Sequence, residues 1–204
     1  MGPIGLKTKT VSVADFPVAK DYVETLRDVL SRLDYSLIDA MVEDLWQAYQ
    51  EDRTVYFFGN GGSAALASHA VCDLSKGTIA SGRRRLRAIS LADNVATMTA
   101  WANDFSYQDI FAEPLAGLVR KGDRVFAISG SGNSMNVVRG LEVAREAGAK
   151  TLALTGFEGG RVRALADLCL IVPSNNMQYI EDAHLCSTHA IFTALRQRMS
   201  QRVE

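Results

Sequence analysis

Apolar positions divide the chain into a pair of amphipathic helices followed by strands and helices in alternation. Apolar side chains at helical spacing predict two helices, at 18–33 and 37–50, which form an N-terminal helical hairpin at 18–50. Strands are predicted at 55–58, 86–91, 125–128, 151–155 and 168–172. Most of these runs are apolar throughout, as strands are when helices cover both faces of a parallel sheet. The pattern therefore predicts an α/β fold.

Further helices fill the intervals between the strands, and the last helix follows the final strand. They are predicted at 64–75, 94–102, 107–119, 136–147, 162–166 and 178–200. Neither a linker nor a low-complexity segment interrupts this order, so we expect a single domain at 17–204 preceded by a flexible leader at 1–16. Because the hairpin is amphipathic and precedes every strand, it must pack on the sheet or on another subunit.

Composition and charge narrow the class of protein. Of the 204 residues, 48% are hydrophobic, and the net charge of -1 implies no nucleic acid as a partner. The basic run at 82–87 is interpreted as a solvated or subunit-facing loop. The three cysteines lack the spacing of a disulfide framework or a thiolate zinc site. With neither a signal sequence nor an apolar run near about 18 residues, we expect a cytoplasmic protein without a membrane segment.

Two Gly-rich turns, each between a predicted strand and a helix, carry the candidate chemistry. The first turn reads GNGGS at 59–63, and its glycines let backbone N–H groups approach a ligand closely. The second turn reads SGSGNS at 129–134 and adds serine hydroxyls to the backbone donors. Because each helix N-terminus also offers unpaired amides to an anion, the pair of turns suits a sugar phosphate. Neither turn has the spacing of a dinucleotide fingerprint or of a P-loop.

Acidic and imidazole side chains on two predicted helices complete the candidate site. His69 and Asp73 are four residues apart on one face of the helix behind the first turn, a spacing that can present two ligands to one metal. On the last helix, Glu181 and His189 are about 12 Å apart along a straight helix, so they share a metal only if both side chains reach toward it. His184 competes with His189, because Glu181 and His184 meet more easily.

Taken in order, the motifs resemble those of the sugar isomerase (SIS) domain family, and in particular those of its phosphoheptose isomerase branch. The segments that carry the resemblance are GNGGS, AWANDF, ISGSGNS, LTGFEGG, VPSNN and IEDAH, followed by His189. The resemblance covers residues 18–199, which include the helical hairpin. It implies a doubly wound, five-stranded parallel sheet with flavodoxin-like layering. It also implies a homotetramer with active sites at subunit interfaces.

The resemblance further implies a reaction and a set of residues. Members of this branch interconvert sedoheptulose 7-phosphate and D-glycero-D-manno-heptose 7-phosphate through an enediol, the first step of nucleotide-activated heptose synthesis. Asp73, His189 and Glu181 would be the catalytic groups, which move protons at carbon and oxygen. The residues that would bind the phosphorylated seven-carbon sugar are Asn60, Gly61, Gly62, Ser63, Asp73, Asn103, Asp104, Ser129, Gly130, Ser131, Ser134 and Glu181. Those of the second turn would hold the phosphate.

Zinc is the cofactor that the resemblance implies, one ion per subunit, held by His69, Asp73, Glu181 and His189. This chain departs from the best-known family members at two of these positions, with Asp73 where they have Glu and Glu181 where they have Gln. Two carboxylates and two imidazoles still suit a divalent cation. If no zinc binds, Glu181 rather than Asp73 could be the general base.

Two other classes of protein remain open from the sequence. Some relatives in the family are non-catalytic scaffolds that bind a replication initiator. Those relatives lack the acidic residue at position 73 and the histidine at position 189, and both are present here as Asp73 and His189. The chain could alternatively isomerise or bind another phosphosugar, as other SIS enzymes and sugar-phosphate sensors do.

Overall fold

A computed structural model describes residues 19–201, and the predicted leader at 1–16 lies outside this range. Two helices precede the first strand, and strands and helices then alternate. The elements are α1 Ala19–Ser31, α2 Tyr35–Gln50, β1 Thr54–Gly59, α3 Gly62–Cys72, β2 Arg87–Ser90, α4 Val95–Asp104, α5 Ala112–Leu118, β3 Arg124–Ser129, α6 Met135–Glu146, β4 Lys150–Thr155, α7 Val162–Leu165, β5 Leu168–Ile171 and α8 Met177–Ser200. No helix within residues 19–201 is long and apolar enough to cross a membrane.

The strands form one parallel sheet of five strands in the order β2-β1-β3-β4-β5. After β2 the chain crosses to the other side of β1 before it forms β3, so the sheet is wound outward in both directions. This confirms the predicted α/β, doubly wound parallel sheet. In such a sheet, ligands bind beyond the carboxyl ends of the strands at the point where the winding reverses, which here lies between β1 and β3.

Helices cover both faces of the sheet, which explains why its central strands are apolar throughout. Along β1, Val55 and Phe57 pack into one core with α1, α2, α3 and α8. Tyr56 and Phe58 pack into a second core with α5, α6 and α7. All four residues are at most 4% exposed. Because burial of a large apolar side chain contributes roughly 1.5–3 kcal/mol, alternate residues of one strand stabilise both helical layers.

Two segments differ from the helices that the apolar pattern predicts. The segment 107–119 is not one helix but a 3₁₀ turn, Tyr107–Asp109, followed by α5. Pro114 accounts for the break, because proline fits the first turn of a helix, where it lies in α5, but not the interior of a longer helix. The helix predicted at 64–75 ends early as α3 and continues as a π-helical turn, Asp73–Gly77. Such turns are frequent at functional sites.

A buried ion pair joins α2 to the beginning of β3. Arg124 Nε lies 3.3 Å from Asp44 Oδ2, and both side chains are at most 4% exposed. Lys150 Nζ lies 2.9 Å from the other oxygen of Asp44, and Arg124 also contacts Glu51 at 3.0 Å. These contacts lie at the amino ends of the strands, so they hold the N-terminal hairpin to the sheet without entering the candidate site.

Candidate active site

The order of the strands places the two Gly-rich turns next to each other. β1 and β3 are neighbours in the sheet, and Gly59 at the end of β1 is paired with Ile128 near the end of β3. Each turn leads directly into a helix, the first into α3 and the second into α6. The two helix N-termini therefore approach each other where the winding reverses, and their unpaired amides and positive dipole ends can act on one anion.

Close packing and backbone conformation explain the glycines of both turns. A Cβ atom on Gly59 would lie 2.6 Å from the Ile128 carbonyl oxygen, and Gly61 has a φ of +55°. In the second turn, Gly132 has a φ of +63°, and a Cβ atom there would clash with the carbonyl oxygen of Gly159. The loop after β4 thus packs backbone to backbone against the second turn and holds its shape.

A pocket of about 160 Å³ opens between the two turns, and we call it the anion cradle. Its lining residues are Asn60, Ser63, Ile128, Ser129, Gly130, Ser131, Ser134, Met177 and Glu181. Ser134 is the N-cap residue of α6, yet its side chain makes no capping hydrogen bond within the described chain, so its hydroxyl is available to a ligand. Serine hydroxyls and two helix N-termini suit this pocket to a phosphate group.

A second pocket, of about 300 Å³, shares Ser63 and Glu181 with the anion cradle. It runs between α3 and α8 and reaches His69. The Glu181 carboxylate lies close to the first turn, since a Cβ atom on Gly62 would be 3.1 Å from both carboxylate oxygens. The two pockets together form one groove with an anion site at one end and imidazole side chains at the other.

His69, which lines the second pocket, meets Asp73 and His189, which line neither pocket, just beyond this end of the groove. His69 Nε2 lies 2.9 Å from His189 Nε2 and 3.3 Å from Asp73 Oδ2. His189 Nε2 lies 3.7 Å from the same carboxylate oxygen. One ligand atom from each residue lies within 4.8 Å of the other two. The π-helical turn that begins at Asp73 follows α3 directly, so α3 supplies His69, the turn supplies Asp73 and α8 supplies His189.

The donor set of this cluster fits a metal ion. A neutral imidazole carries hydrogen on only one nitrogen, so when two Nε2 atoms face each other at hydrogen-bonding distance, at least one presents a lone pair. A carboxylate oxygen is the third donor. The separations of 2.9 to 3.7 Å are close to those between ligand atoms that each lie about 2.0–2.2 Å from one zinc ion. The histidine side chains are 49% and 47% exposed, which leaves room for a further ligand.

Glu181, the fourth ligand that the resemblance implies, does not join this cluster within the described residues. Its carboxylate instead lines the anion cradle and the neighbouring pocket. The two turns of α8 between Glu181 and His189 keep the carboxylate and the imidazole apart, as expected from about 1.5 Å of rise per residue. A metal-binding role for Glu181 therefore stays a prediction.

His184 is a packing residue rather than a member of the cluster. Its side chain is fully buried, and its Nε2 lies 3.0 Å from the Thr155 carbonyl oxygen, which accepts its hydrogen. Burial lowers the pKa of His184 from 6.5 to about 4, and the hydrogen bond to Thr155 opposes this only in part. The imidazole is thus neutral at physiological pH, and His189 is the histidine of α8 that reaches the site.

Two predicted contacts to the sugar, Asn103 and Asp104, line neither pocket of the single chain. Both are exposed at the end of α4, where Asn103 Nδ2 donates to Asp104 Oδ1 at 2.7 Å. Instead, the structure brings Tyr107 and Asn136, neither of them among the predicted site residues, to Asn60. The one sequence signal for Asn136 is its position just after the serines of the second turn.

Comparisons with known proteins agree on one family. A family model described as SIS domain matches residues 21–156. The phosphoheptose isomerase of Mycobacterium tuberculosis is 41% identical over 152 residues, which are 74% of this chain and 77% of that protein. The phosphoheptose isomerase of Aliarcobacter butzleri is 34% identical over 178 residues, 87% of this chain and 89% of that protein. A solved phosphoheptose isomerase structure from Neisseria gonorrhoeae matches with a TM-score of 0.81 and 28% identity, over 88% of this chain and 97% of that one.

Proposed function

Because this chain belongs to the SIS domain family and, within it, to the phosphoheptose isomerases, we propose that it interconverts sedoheptulose 7-phosphate and D-glycero-D-manno-heptose 7-phosphate. The observation that carries this function is the groove in which the anion cradle is joined, through Ser63 and Glu181, to the pocket that reaches His69. A phosphosugar has an anion at one end and its reacting carbonyl at the other. The groove offers a matching group at each end.

In this proposal the phosphate lies in the anion cradle. Its oxygens accept hydrogens from the hydroxyls of Ser129, Ser131 and Ser134 and from backbone amides at the starts of α3 and α6. The first turn, from Asn60 to Ser63, approaches the sugar. Asn103 and Asp104 lie outside both pockets of one chain. They can therefore contact the sugar hydroxyls only if ligand binding moves α4 or if they reach the site of a second subunit.

The isomerisation requires an acid and a base at the carbonyl end of the sugar. Asp73 is the proposed base that takes the proton from the carbon beside the carbonyl. His189, which lies beside Asp73, is the proposed group that moves a proton at oxygen. Glu181 borders the same groove from α8 and is the alternative base. Glu181 lines both pockets, whereas Asp73 lines neither and lies beside His69, which lines the second pocket, so both carboxylates are candidates for the base.

A zinc ion, one per subunit, is the proposed cofactor of His69, Asp73 and His189, with Glu181 as the predicted fourth ligand. When bound, the ion would act as a Lewis acid that polarises oxygens of the substrate. The support for zinc is the donor set of two imidazoles and a carboxylate at mutual distances of 2.9 to 3.7 Å.

We also propose a cytoplasmic homotetramer with active sites at subunit interfaces. α4 is rich in apolar residues, yet none of its residues is buried, and Phe105 directly after it is 71% exposed. Exposed apolar surface of this kind marks interaction sites. It adjoins Tyr107, which contacts the anion cradle through Asn60, so a second copy packed on α4 would complete the wall of the site. The three cysteines are unpaired, which suits a reducing compartment.

The proposed function is tested by incubating the purified protein with sedoheptulose 7-phosphate and following the aldose product by NMR. The wild-type protein should convert the ketose, and a variant with both Asp73→Asn and His189→Ala should lose at least about 100-fold in turnover. Asp39→Asn, which changes an exposed carboxylate of α2, is the matched control. A folded wild-type protein without conversion refutes the reaction, and a double variant within a few fold of wild type refutes the site.

A further inference from the structure

The side chain of Asn60, at the wall of the anion cradle, is held by a reciprocal pair of amide hydrogen bonds to the buried Asn136. Asn60 Nδ2 donates to Asn136 Oδ1 at 2.9 Å, and Asn136 Nδ2 donates to Asn60 Oδ1 at 2.8 Å. Asn136 lies in the first turn of α6 and is only 1% exposed. The pair therefore joins the first Gly-rich turn to the helix that follows the second turn.

A backbone donor sets the orientation of both amides. The Val137 backbone N–H is shared between the Ser134 carbonyl oxygen and Asn136 Oδ1, each at 3.0 Å. Because a backbone N–H can only donate, the oxygen of Asn136 must face it, and the Asn136 amino group must then face the oxygen of Asn60. The orientation of Asn60 follows from that of Asn136.

Tyr107 completes the arrangement from the other side. Its hydroxyl donates to Asn60 Oδ1 at 3.0 Å, and the 3₁₀ turn that carries it is tied to α6 by an ion pair of 2.7 Å between Asp109 and Arg139. Asn60 Oδ1 thus accepts two hydrogen bonds, one from Tyr107 and one from Asn136. Both of its lone pairs are used.

We propose that Asn136 and Tyr107 are positioning residues that leave Asn60 a single free function, the second N–H of its amide, and direct that donor toward an acceptor oxygen of the phosphosugar. Within residues 19–201, the second hydrogen of Asn60 Nδ2 has no hydrogen-bond acceptor, and Asn60 lines the anion cradle. Asn60 can then donate to a phosphate, carbonyl or hydroxyl oxygen but cannot accept from a sugar hydroxyl. This inference rests on the proposed function for its substrate, although the donor itself is defined by the protein alone.

The test compares Tyr107→Phe and Asn136→Asp with Tyr35→Phe. Tyr107 is 58% exposed, so its hydroxyl can be removed without disturbing the core, and Tyr35, 56% exposed with one hydrogen bond to Leu30, is the matched control. Asn136→Asp keeps the size and the bond to Val137 but replaces the donor to Asn60 Oδ1 by an acceptor oxygen, so one of the two reciprocal hydrogen bonds becomes a repulsion between oxygens in either orientation of the Asn60 amide. We expect KM for sedoheptulose 7-phosphate to rise about three- to tenfold in Tyr107→Phe and further in Asn136→Asp, with kcat within about twofold.

A double-mutant cycle separates positioning from direct contact. In an Asn60→Ala background, Tyr107→Phe should have no further effect on KM, because its action passes through the Asn60 amide. If Tyr107→Phe has its full effect without Asn60, or leaves KM unchanged in the otherwise wild-type protein, the proposal is overturned.

Calorimetric binding of inorganic phosphate tests the positioning of Asn60 separately from the proposed isomerase activity. Weaker phosphate binding in Tyr107→Phe places the Asn60 donor at the phosphate, and unchanged phosphate binding with a raised KM places it at a sugar oxygen. Both results support positioning. If the wild-type protein binds phosphate but does not isomerise the heptose, the proposed function fails, whereas weaker phosphate binding in the variant still supports the positioning of Asn60. Without isomerisation, unchanged phosphate binding in the variant overturns the positioning as well.

Discussion

His69 and His189 face each other through their Nε2 atoms at 2.9 Å, although 120 residues separate them along the chain. They meet because α3 and α8 pack into the same core on one face of the sheet. Asp73 lies against both imidazoles, which gathers two nitrogen donors and one oxygen donor in one cluster. The segment of α3 and the turn after it supplies two of the three donors, and only the packing of α8 against α3 adds the third, His189.

Metal content tests this cluster directly. We expect the protein purified with zinc in excess and then desalted to retain about one zinc ion per chain, as measured by plasma mass spectrometry. His69→Ala and His189→Ala should each retain less than half of that amount, because each removes one of three donors. The zinc content of Asp39→Asn should match that of the wild type. Equal zinc contents in all four proteins would show that His69 and His189 do not bind the metal.

Replacing Glu181 by glutamine tests which carboxylate is the base. The Glu181 carboxylate lines the anion cradle, so the loss of its negative charge should tighten binding of inorganic phosphate by about two- to fivefold at low salt. Turnover should persist, because Asp73 remains. A loss of about 100-fold or more in kcat for Glu181→Gln, with Asp73→Asn still active, would instead assign the base to Glu181.

His184 should make the stability of the protein depend on pH. Its folded pKa of about 4 lies below its ordinary value of 6.5, so the unfolded chain binds the proton more readily. The contribution of His184 to the free energy of unfolding is fully present above about pH 6.5. It is lost as the pH falls toward 4, by about 3 kcal/mol in total. Urea unfolding of wild type and His184→Gln at several pH values measures this. Equal pH slopes for the two proteins would contradict it.

The buried ion pair of Arg124 and Asp44 should contribute more to stability than an exposed pair of the same geometry. We expect Arg124→Met to lower the free energy of unfolding by about 2–4 kcal/mol, because Asp44 remains buried with only Lys150 beside it. Arg32→Met breaks an exposed pair with Asp28 at the same 3.3 Å and should cost less than about 1 kcal/mol. Similar losses in urea unfolding would count against the role of burial.

The exposed apolar surface of α4 should be an interface between subunits. Light scattering should give the mass of four chains for the wild type, and Phe105→Glu should shift the protein to smaller species, because a charge cannot be buried there without a partner. Leu118→Glu is the control, because Leu118 is an apolar residue outside α4 that is 45% exposed. This variant should keep the mass of the wild type. An unchanged mass for Phe105→Glu would place the interface elsewhere.

The main elements of the fold could be predicted from the sequence because their signals are local. Continuous apolar runs such as 55–58 mark strands buried on both faces, and Gly61 and Gly132 occupy positive φ angles that glycine adopts readily. His69 and Asp73 are four residues apart, so helix geometry alone puts them on one face. The prediction of one helix at 107–119 was wrong, because the apolar spacing suggested a continuous helix although Pro114 does not fit the interior of one.

Tertiary structure alone decided which of these groups meet. The strand order brings β1 beside β3, and only then do the two Gly-rich turns share one pocket. The pairing of Asn60 with Asn136 and Tyr107, and the burial of His184 beside exposed His189, depend on which faces of distant helices pack on the sheet. Periodicity along the chain reports the environment of each residue, whereas a binding site depends on distances between elements that the burial of apolar faces determines.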